Sequence, residues 1–157
     1  MKLKAICEPE KEVNIEITGA TLLSVEEAEA LPNSLRVYCR WWWLRSPGDD
    51  SILAASVHRD GSIDGFGGSV FYSGDAVRPA LLISNLESSN LKIGDSIIFG
   101  NKEFEIISDS LAICKSDIGT HYFRKDWKAE DANDYEKSDV KKFIDEWFER
   151  AKNEDLG

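Results

Sequence analysis

Residues 40–48 read RWWWLRSPG, three tryptophans in succession and then a proline and a glycine. Such a run is the centre of a core, an aromatic platform for a ligand, or both at once. In an extended strand neighbouring side chains point to opposite faces, so Trp41 and Trp43 share a side and Trp42 faces the other. Tryptophan is heavily buried on average, which places the pair sharing a side in the core and leaves Trp42 as the candidate exposed platform. Each indole N–H requires an acceptor, a backbone carbonyl or water at the rim. The residues LRSPG are expected to end the strand in a turn, Pro47 fixing φ and Gly48 freeing the exit.

Outward from that run, residues 35–83 hold few helix formers and many Gly, Ser and aromatic residues. Turns are expected at SPGDD, RDGS, GFGG and YSGD, with short strands at 36–45, 53–58, 69–72 and 77–83. Upstream, a strand is expected over 3–7, and Val13, Ile15 and Ile17 alternate with polar residues as a strand over 13–17. Ser24 and Glu27 form a capping box that opens a helix over 24–31, which Pro32 and Asn33 close. Downstream, SNLESSN (84–90) is a polar connector. Residues 95–117 read as a three-stranded meander with turns at Gly100-Asn101 and Ser108–Ser110. Ser138 caps a last helix whose apolar stripe is Val140, Phe143, Ile144, Trp147, Phe148 and Ala151. The class is α+β.

The 157 residues fit one domain spanning 1–157, and 42% hydrophobic content with five Trp and seven Phe supplies a core without a metal or disulfide staple. Cys7, Cys39 and Cys114 lack CxxC spacing and read as reduced, buried thiols of a cytoplasmic protein. The segment MKLKAICEPEKEV has no signal-peptide apolar run, and no stretch approaches the ~20 apolar residues of a membrane span. A formal charge of −10, from 29 acidic and 19 basic residues, argues against direct nucleic-acid binding.

Three stretches, WWWLRSPG, AASVHRDGSIDGFGGSVFY and AVRPALLIS, resemble a family of bacterial and phage domains of unknown function with a C-type-lectin-like fold. In that family WWLRSPG is followed by an alanine-rich strand, a glycine-containing variable stretch and GVRPAL. TLLSVEEAEAL, KIGDSIIFGNKEFEII and SDVKKFIDEWFERA resemble further family segments, so the likeness covers roughly residues 20–150. The block order differs: the family places the KIGDSIIFG-like strands and the long helix first. The resemblance therefore implies a circularly permuted lectin-like fold, irregular antiparallel sheets with two helices, in which 84–90 joins the family's usual ends. Segments 78–83 and 96–99 are then expected to be paired neighbours in one sheet. Ala76 stands where the family has Gly before VRPAL, which leaves the local turn open. The motif residues Trp41, Trp42, Trp43, Arg45, Pro47, Gly48, Arg78 and Pro79 are expected to be structural, the two arginines holding loops by forked hydrogen bonds.

Catalytic constellations are absent from the sequence. His58 and His121 have no local nucleophile partner, and Asp49, Asp50, Asp60 and Asp64 lack EF-hand spacing. GFGG lacks the strand-and-helix setting of a phosphate loop, and the paired cysteines of formylglycine-generating relatives of the fold are missing. The expectation is no enzyme, no cofactor and no metal. Function falls on loops, and the family's variable stretch nominates Asp49, Asp50, His58, Arg59, Asp60, Asp64, Phe66, Phe71 and Tyr72 as contacts for a protein partner, in a phage or prophage setting. The alternative is an acidic inhibitor of a nucleic-acid-directed host defence system, anti-CRISPR-like or a DNA mimic, using the acidic side chains of residues 126–155. Carbohydrate binding ranks third, because the calcium loop of sugar-binding lectins is missing.

Overall fold

A computed structural model describes residues 1–6 and 11–156. The expected strand end at Cys7 lies outside them, as do Glu8-Pro9-Glu10 and the side chain of Asp155. In chain order, β1 (Lys2–Ile6), β2 (Lys11–Asn14) and β3 (Ile17–Thr21) precede two short helices, α1 (Val25–Glu29) and α2 (Asn33–Arg36). Then come β4 (Trp42–Pro47), β5 (Leu53–Val57), β6 (Ile63–Ser69) and β7 (Ala80–Ile83). The meander strands β8 (Ser96–Phe99), β9 (Lys102–Ile106) and β10 (Leu111–Cys114) follow, and α3 (Asp139–Leu156) is the last element. The protein is α+β, and the paired strands are antiparallel. No helix among the described residues is long and apolar enough to cross a membrane. By internal packing the chain divides into two compact units, residues 1–21, 79–116 and 145–157 in one and 22–78 and 117–144 in the other.

The first unit is a seven-stranded sheet in the order β2-β1-β8-β9-β10-β7-β3. Its meander turns where expected. Gly100 and Asn101 both have positive φ, 57° and 62°, as a two-residue hairpin turn matched to strand twist requires. A Cβ on Gly100 would sit 2.8 Å from the Ala151 Cβ, so glycine is also needed for close packing. Phe99 stacks on Phe148 and meets Trp147 and Phe104 edge-on, which buries the later part of the helical stripe. The alternation from Val13 to Ile17 is buried at every second residue, yet it is shared between two strands, β2 pairing with β1 and β3 with β7. The expected pairing of 78–83 with 96–99 does not occur. β7 pairs with β10 and β3, and β8 with β1 and β9. Two tight turns fold β8, β9 and β10 on one another, and β1 takes the outer edge of β8, which leaves the outer edge of β10 for β7. Both segments share the one sheet, roughly 15 Å apart across three strand spacings. Residues 84–90 are a packed corner rather than a plain connector, with a 3₁₀ turn at Leu86–Ser89, Leu86 buried, and the Glu16 N–H donating to Asn85 Oδ1 at 2.7 Å.

The second unit holds the three-stranded sheet β4-β5-β6. The Ser24–Glu27 capping box forms in both directions, at 3.1 and 2.8 Å, and starts α1. Several strand expectations fail here. The expected strand over 36–45 begins with the end of α2 and joins a sheet only at Trp42. GFGG lies inside β6, where a register shift against β5 and Gly67 at φ 103° make a bulge rather than a turn. Residues 69–72 form a turn, the Tyr72 N–H donating to the Ser69 carbonyl at 3.0 Å. RSP continues β4, Pro47 lying opposite Ala54, and the chain leaves at Gly48, where a Cβ would fall 2.3 Å from the Phe66 carbonyl oxygen.

The tryptophans sort differently from the expectation. Trp42 and Trp43 are both fully buried, and Trp41, 38% exposed, is the open one. β4 begins only at Trp42, so alternation does not reach back to Trp41. Trp42 lies under the Arg78 guanidinium, and Trp43 meets Phe123 edge-on. Their N–H groups donate to the Arg36 carbonyl at 3.0 Å and the His121 carbonyl at 2.8 Å. Within this unit, Ser138 Oγ accepts from the Lys141 N–H at 3.0 Å and caps α3, and Phe143 stacks on His121.

Candidate functional site

The site is built around residues 75–77, which the second unit threads between two neighbours. The Ala76 N–H donates to the Trp41 carbonyl at 2.8 Å, and the Trp43 N–H donates to the Ala76 carbonyl at 3.2 Å. On the other side the His121 N–H reaches the Asp75 carbonyl at 3.1 Å, and the Val77 N–H the Gly119 carbonyl at 2.9 Å. Ala76 is fully buried and is not among the residues of positive φ, so alanine carries no backbone strain there. The same threading draws Asp75 inside; it is 3% exposed.

A cavity of about 560 Å³ opens beside that segment, within the usual range for ligand pockets. Trp41, Trp43, Phe71 and Tyr72 supply aromatic walls, Arg40, Arg59 and Cys39 border it, and Asp75 lies against it. Phe71 is 49% and Tyr72 57% exposed, large rings that a monomer ordinarily buries. Trp41 is held in place by His58, whose ring stacks on it at 3.7 Å with planes 19° apart. His58 Nε2 is in turn 3.0 Å from Asp64 Oδ2. The Gly67 N–H holds the Asp64 carboxyl below its usual range, against burial and together with His58. Phe71 also packs near Trp127, itself exposed, which extends the aromatic surface beyond the cavity.

Asp75 is the unusual member. Its carboxylate has no hydrogen bond or ion pair among the described residues. Among the described residues Ser56 Oγ alone is both fully occluded and without a partner, so the Asp75 oxygens keep a sliver of open surface. Burial pushes its carboxyl up to about 6, with His58 pulling the other way.

Of the residues expected to make contacts, Arg59, Phe71 and Tyr72 line the cavity, and His58 and Asp64 support it through Trp41. Asp49, Asp50, Asp60 and Phe66 do not line it. Asp60 accepts from the Ser62 N–H and hydroxyl at 2.9 and 2.6 Å, and this holds its own turn. Phe66 is 62% exposed. Among the described residues no group of three or more His, Cys, Asp or Glu converges to hold an ion. Arg45 donates to the Leu22 carbonyl at 2.8 Å and to the Glu27 carboxylate, and Arg78 to the Leu35 carbonyl at 2.9 Å, so both hold loops. Pro79 is buried. Cys39 is exposed, contrary to the expectation of buried thiols, because it precedes the sheet in an open loop, and Cys114 is buried. Much of the acidic C-terminal ground is engaged internally: Asp131 pairs with Lys137 and Arg124, Asp134 caps the 3₁₀ turn at Tyr135–Lys137, and Asp139 accepts from the Lys125 N–H.

Sequence reasoning missed Cys39, Arg40, Gly74 and above all Asp75. One signal was available for Asp75: it directly precedes the apolar pair Ala76-Val77, and whatever buries that pair carries its neighbour inward.

Residues 10–85, slightly under half of the chain, match the model of a family described as Domain of unknown function (DUF6273). The matched stretch contains the tryptophan run, β5, β6 and Asp75. No curated protein and no solved structure matches the chain.

Proposed function

We propose that this chain is a non-catalytic binding module that holds a protein partner on the aromatic face around Trp41, Phe71 and Tyr72. The observation that carries this reading is the cavity of about 560 Å³ rimmed by exposed rings. Exposed Trp and Tyr beside a pocket are the residue types that dominate interface energetics, and keeping them in water has no folding benefit. The frame behind the face is read as a circularly permuted C-type-lectin-like fold, working in the cytoplasm without cofactor or metal, and the setting as a phage or prophage. The fold and the phage setting rest on the WWWLRSPG and VRPAL resemblance, supported by antiparallel α+β architecture and by β7 and β8 lying in one sheet, and the cytoplasmic reading rests on the spacing of the cysteines.

The test is affinity capture from a bacterial lysate with the wild-type chain and with Tyr72→Ala and Phe71→Ala, followed by a salt series. The reading predicts a protein retained by the wild type, lost from both variants and insensitive to salt. Capture of a nucleic-acid-directed enzyme that DNA or ~0.5 M salt releases, with both variants still active, would establish the acidic-inhibitor alternative instead.

A further inference from the structure

We propose that the cavity receives an organic cation, the ammonium or guanidinium end of a basic side chain carried by the partner, seated on the Asp75 carboxylate between the rings of Trp41 and Tyr72. This rests on the binding-module reading and adds the chemistry of the ligand. A buried carboxylate without a hydrogen-bond donor or counter-charge is costly, and native interiors supply such groups with a partner. The described residues offer Asp75 no hydrogen-bond donor, and the one charge that favours its ionised form, that of His58, is paired with Asp64 instead. The partner class that supplies what is missing is a cation with an apolar stem, because the walls around the carboxylate are aromatic and attract positive charge at their faces.

The surrounding cations narrow the class. Arg40 and Arg59 line the same cavity, and both are exposed, so water screens their charges more than that of the largely buried Asp75. Two arginines at the opening disfavour a polyamine and favour a single cationic head beside an acidic or neutral residue. His58 is turned to Asp64 and stacked on Trp41, and so is not the missing partner of Asp75. The residues expected from sequence to make contacts therefore act partly as supports: His58 and Asp64 fix the Trp41 ring that forms one wall.

The test is titration calorimetry of the full chain with N-acetyl-arginine methylamide and N-acetyl-lysine methylamide, beside N-acetyl-citrulline methylamide as the neutral isostere of arginine. At pH ~7.5 one or both cationic amides bind saturably, and the citrulline compound binds about tenfold more weakly or not at all. Asp75→Asn weakens cation binding about tenfold and leaves any citrulline binding unchanged. If that variant does not fold, the wild type answers alone: between pH ~7.5 and pH ~5 the ionised fraction of a carboxyl titrating near 6 drops, and cation affinity falls about tenfold with it. Equal binding of arginine and citrulline amides overturns the inference while leaving the binding-module reading standing. So does cation binding indifferent to Asp75→Asn and to pH, or no binding of either cation up to ~10 mM. Partner capture that survives Tyr72→Ala and Phe71→Ala removes the reading beneath it.

Discussion

In the seven-stranded unit the aromatic rings face one another; in the tryptophan unit several of them face water. Phe99, Phe104, Trp147 and Phe148 form one buried cluster, and the large apolar side chains that unit exposes, Ile6, Leu82 and Ile93, are aliphatic. The other unit buries Trp42, Trp43 and Phe123 but leaves Trp41, Phe66, Phe71, Tyr72 and Trp127 open. The difference is one of use. A scaffold gains stability from ring-on-ring packing, whereas exposed rings around a cavity gain nothing until a partner covers them. The buried, unpaired Asp75 belongs to the same side of the contrast: it weakens the fold and is understandable where it serves recognition.

The largest effect expected from breaking the comparison is in the frame. Phe99→Ala removes the ring at the centre of the buried cluster and should cost about 3–5 kcal/mol in a denaturant melt. A cost below ~1 kcal/mol would mean that these rings do not carry the first unit's core.

Asp75→Asn sharpens the contrast from the opposite direction. The carboxyl titrates at about 6 in the folded chain against 3.8 as its ordinary value. At pH ~7.5 both states are ionised and the folded one carries the burial cost, so the variant should be more stable by about 1–3 kcal/mol. As pH falls from ~6 to ~4 the folded chain takes up the proton first, and wild type gains on the variant until the difference disappears. Among the groups near Asp75, His58 is the one whose charge acts on its carboxyl, against burial, while Arg40 and Arg59 border the same cavity. Chemical melts of both proteins across that range check the prediction; a variant less stable at pH ~7.5 contradicts it.

The smallest expected effect separates exposure from function. Phe66 is the most exposed aromatic side chain of the set, yet it does not line the cavity. Phe66→Ala should shift stability by less than ~0.5 kcal/mol and weaken partner binding less than Tyr72→Ala does. A larger loss at Phe66 would move the binding face toward β6.

How far each region could be read from sequence follows the same division. Where structure is set by neighbours in the chain, the reading was close: the Ser24–Glu27 box, the Gly100-Asn101 turn and the stripe from Val140 to Ala151 each depend on residues within a few positions. Where it is set by distant pairing, the reading failed. Trp42 was expected outside and Trp41 inside, because alternation was applied across the start of β4, and that start is fixed by Ala76, which lies far along the chain. GFGG was read as a turn because glycines mark turns, whereas Gly67 is in a strand, where the β5 backbone approaches within 2.8 Å of its missing Cβ. The cavity was half legible. Arg59, Phe71 and Tyr72 came from the variable stretch between the motifs, but Asp75 became part of the site only through the bonds of its neighbour Ala76 to Trp41 and Trp43 and the bond from the His121 N–H to its own carbonyl, which no local pattern announces.

The most direct test of the binding claim is the affinity of the captured partner for the wild-type chain and for Tyr72→Ala, measured with thermal stability on the same samples. The account predicts melting temperatures within a few degrees of each other and an affinity at least about tenfold weaker for the variant. Equal affinities at equal stability would contradict it.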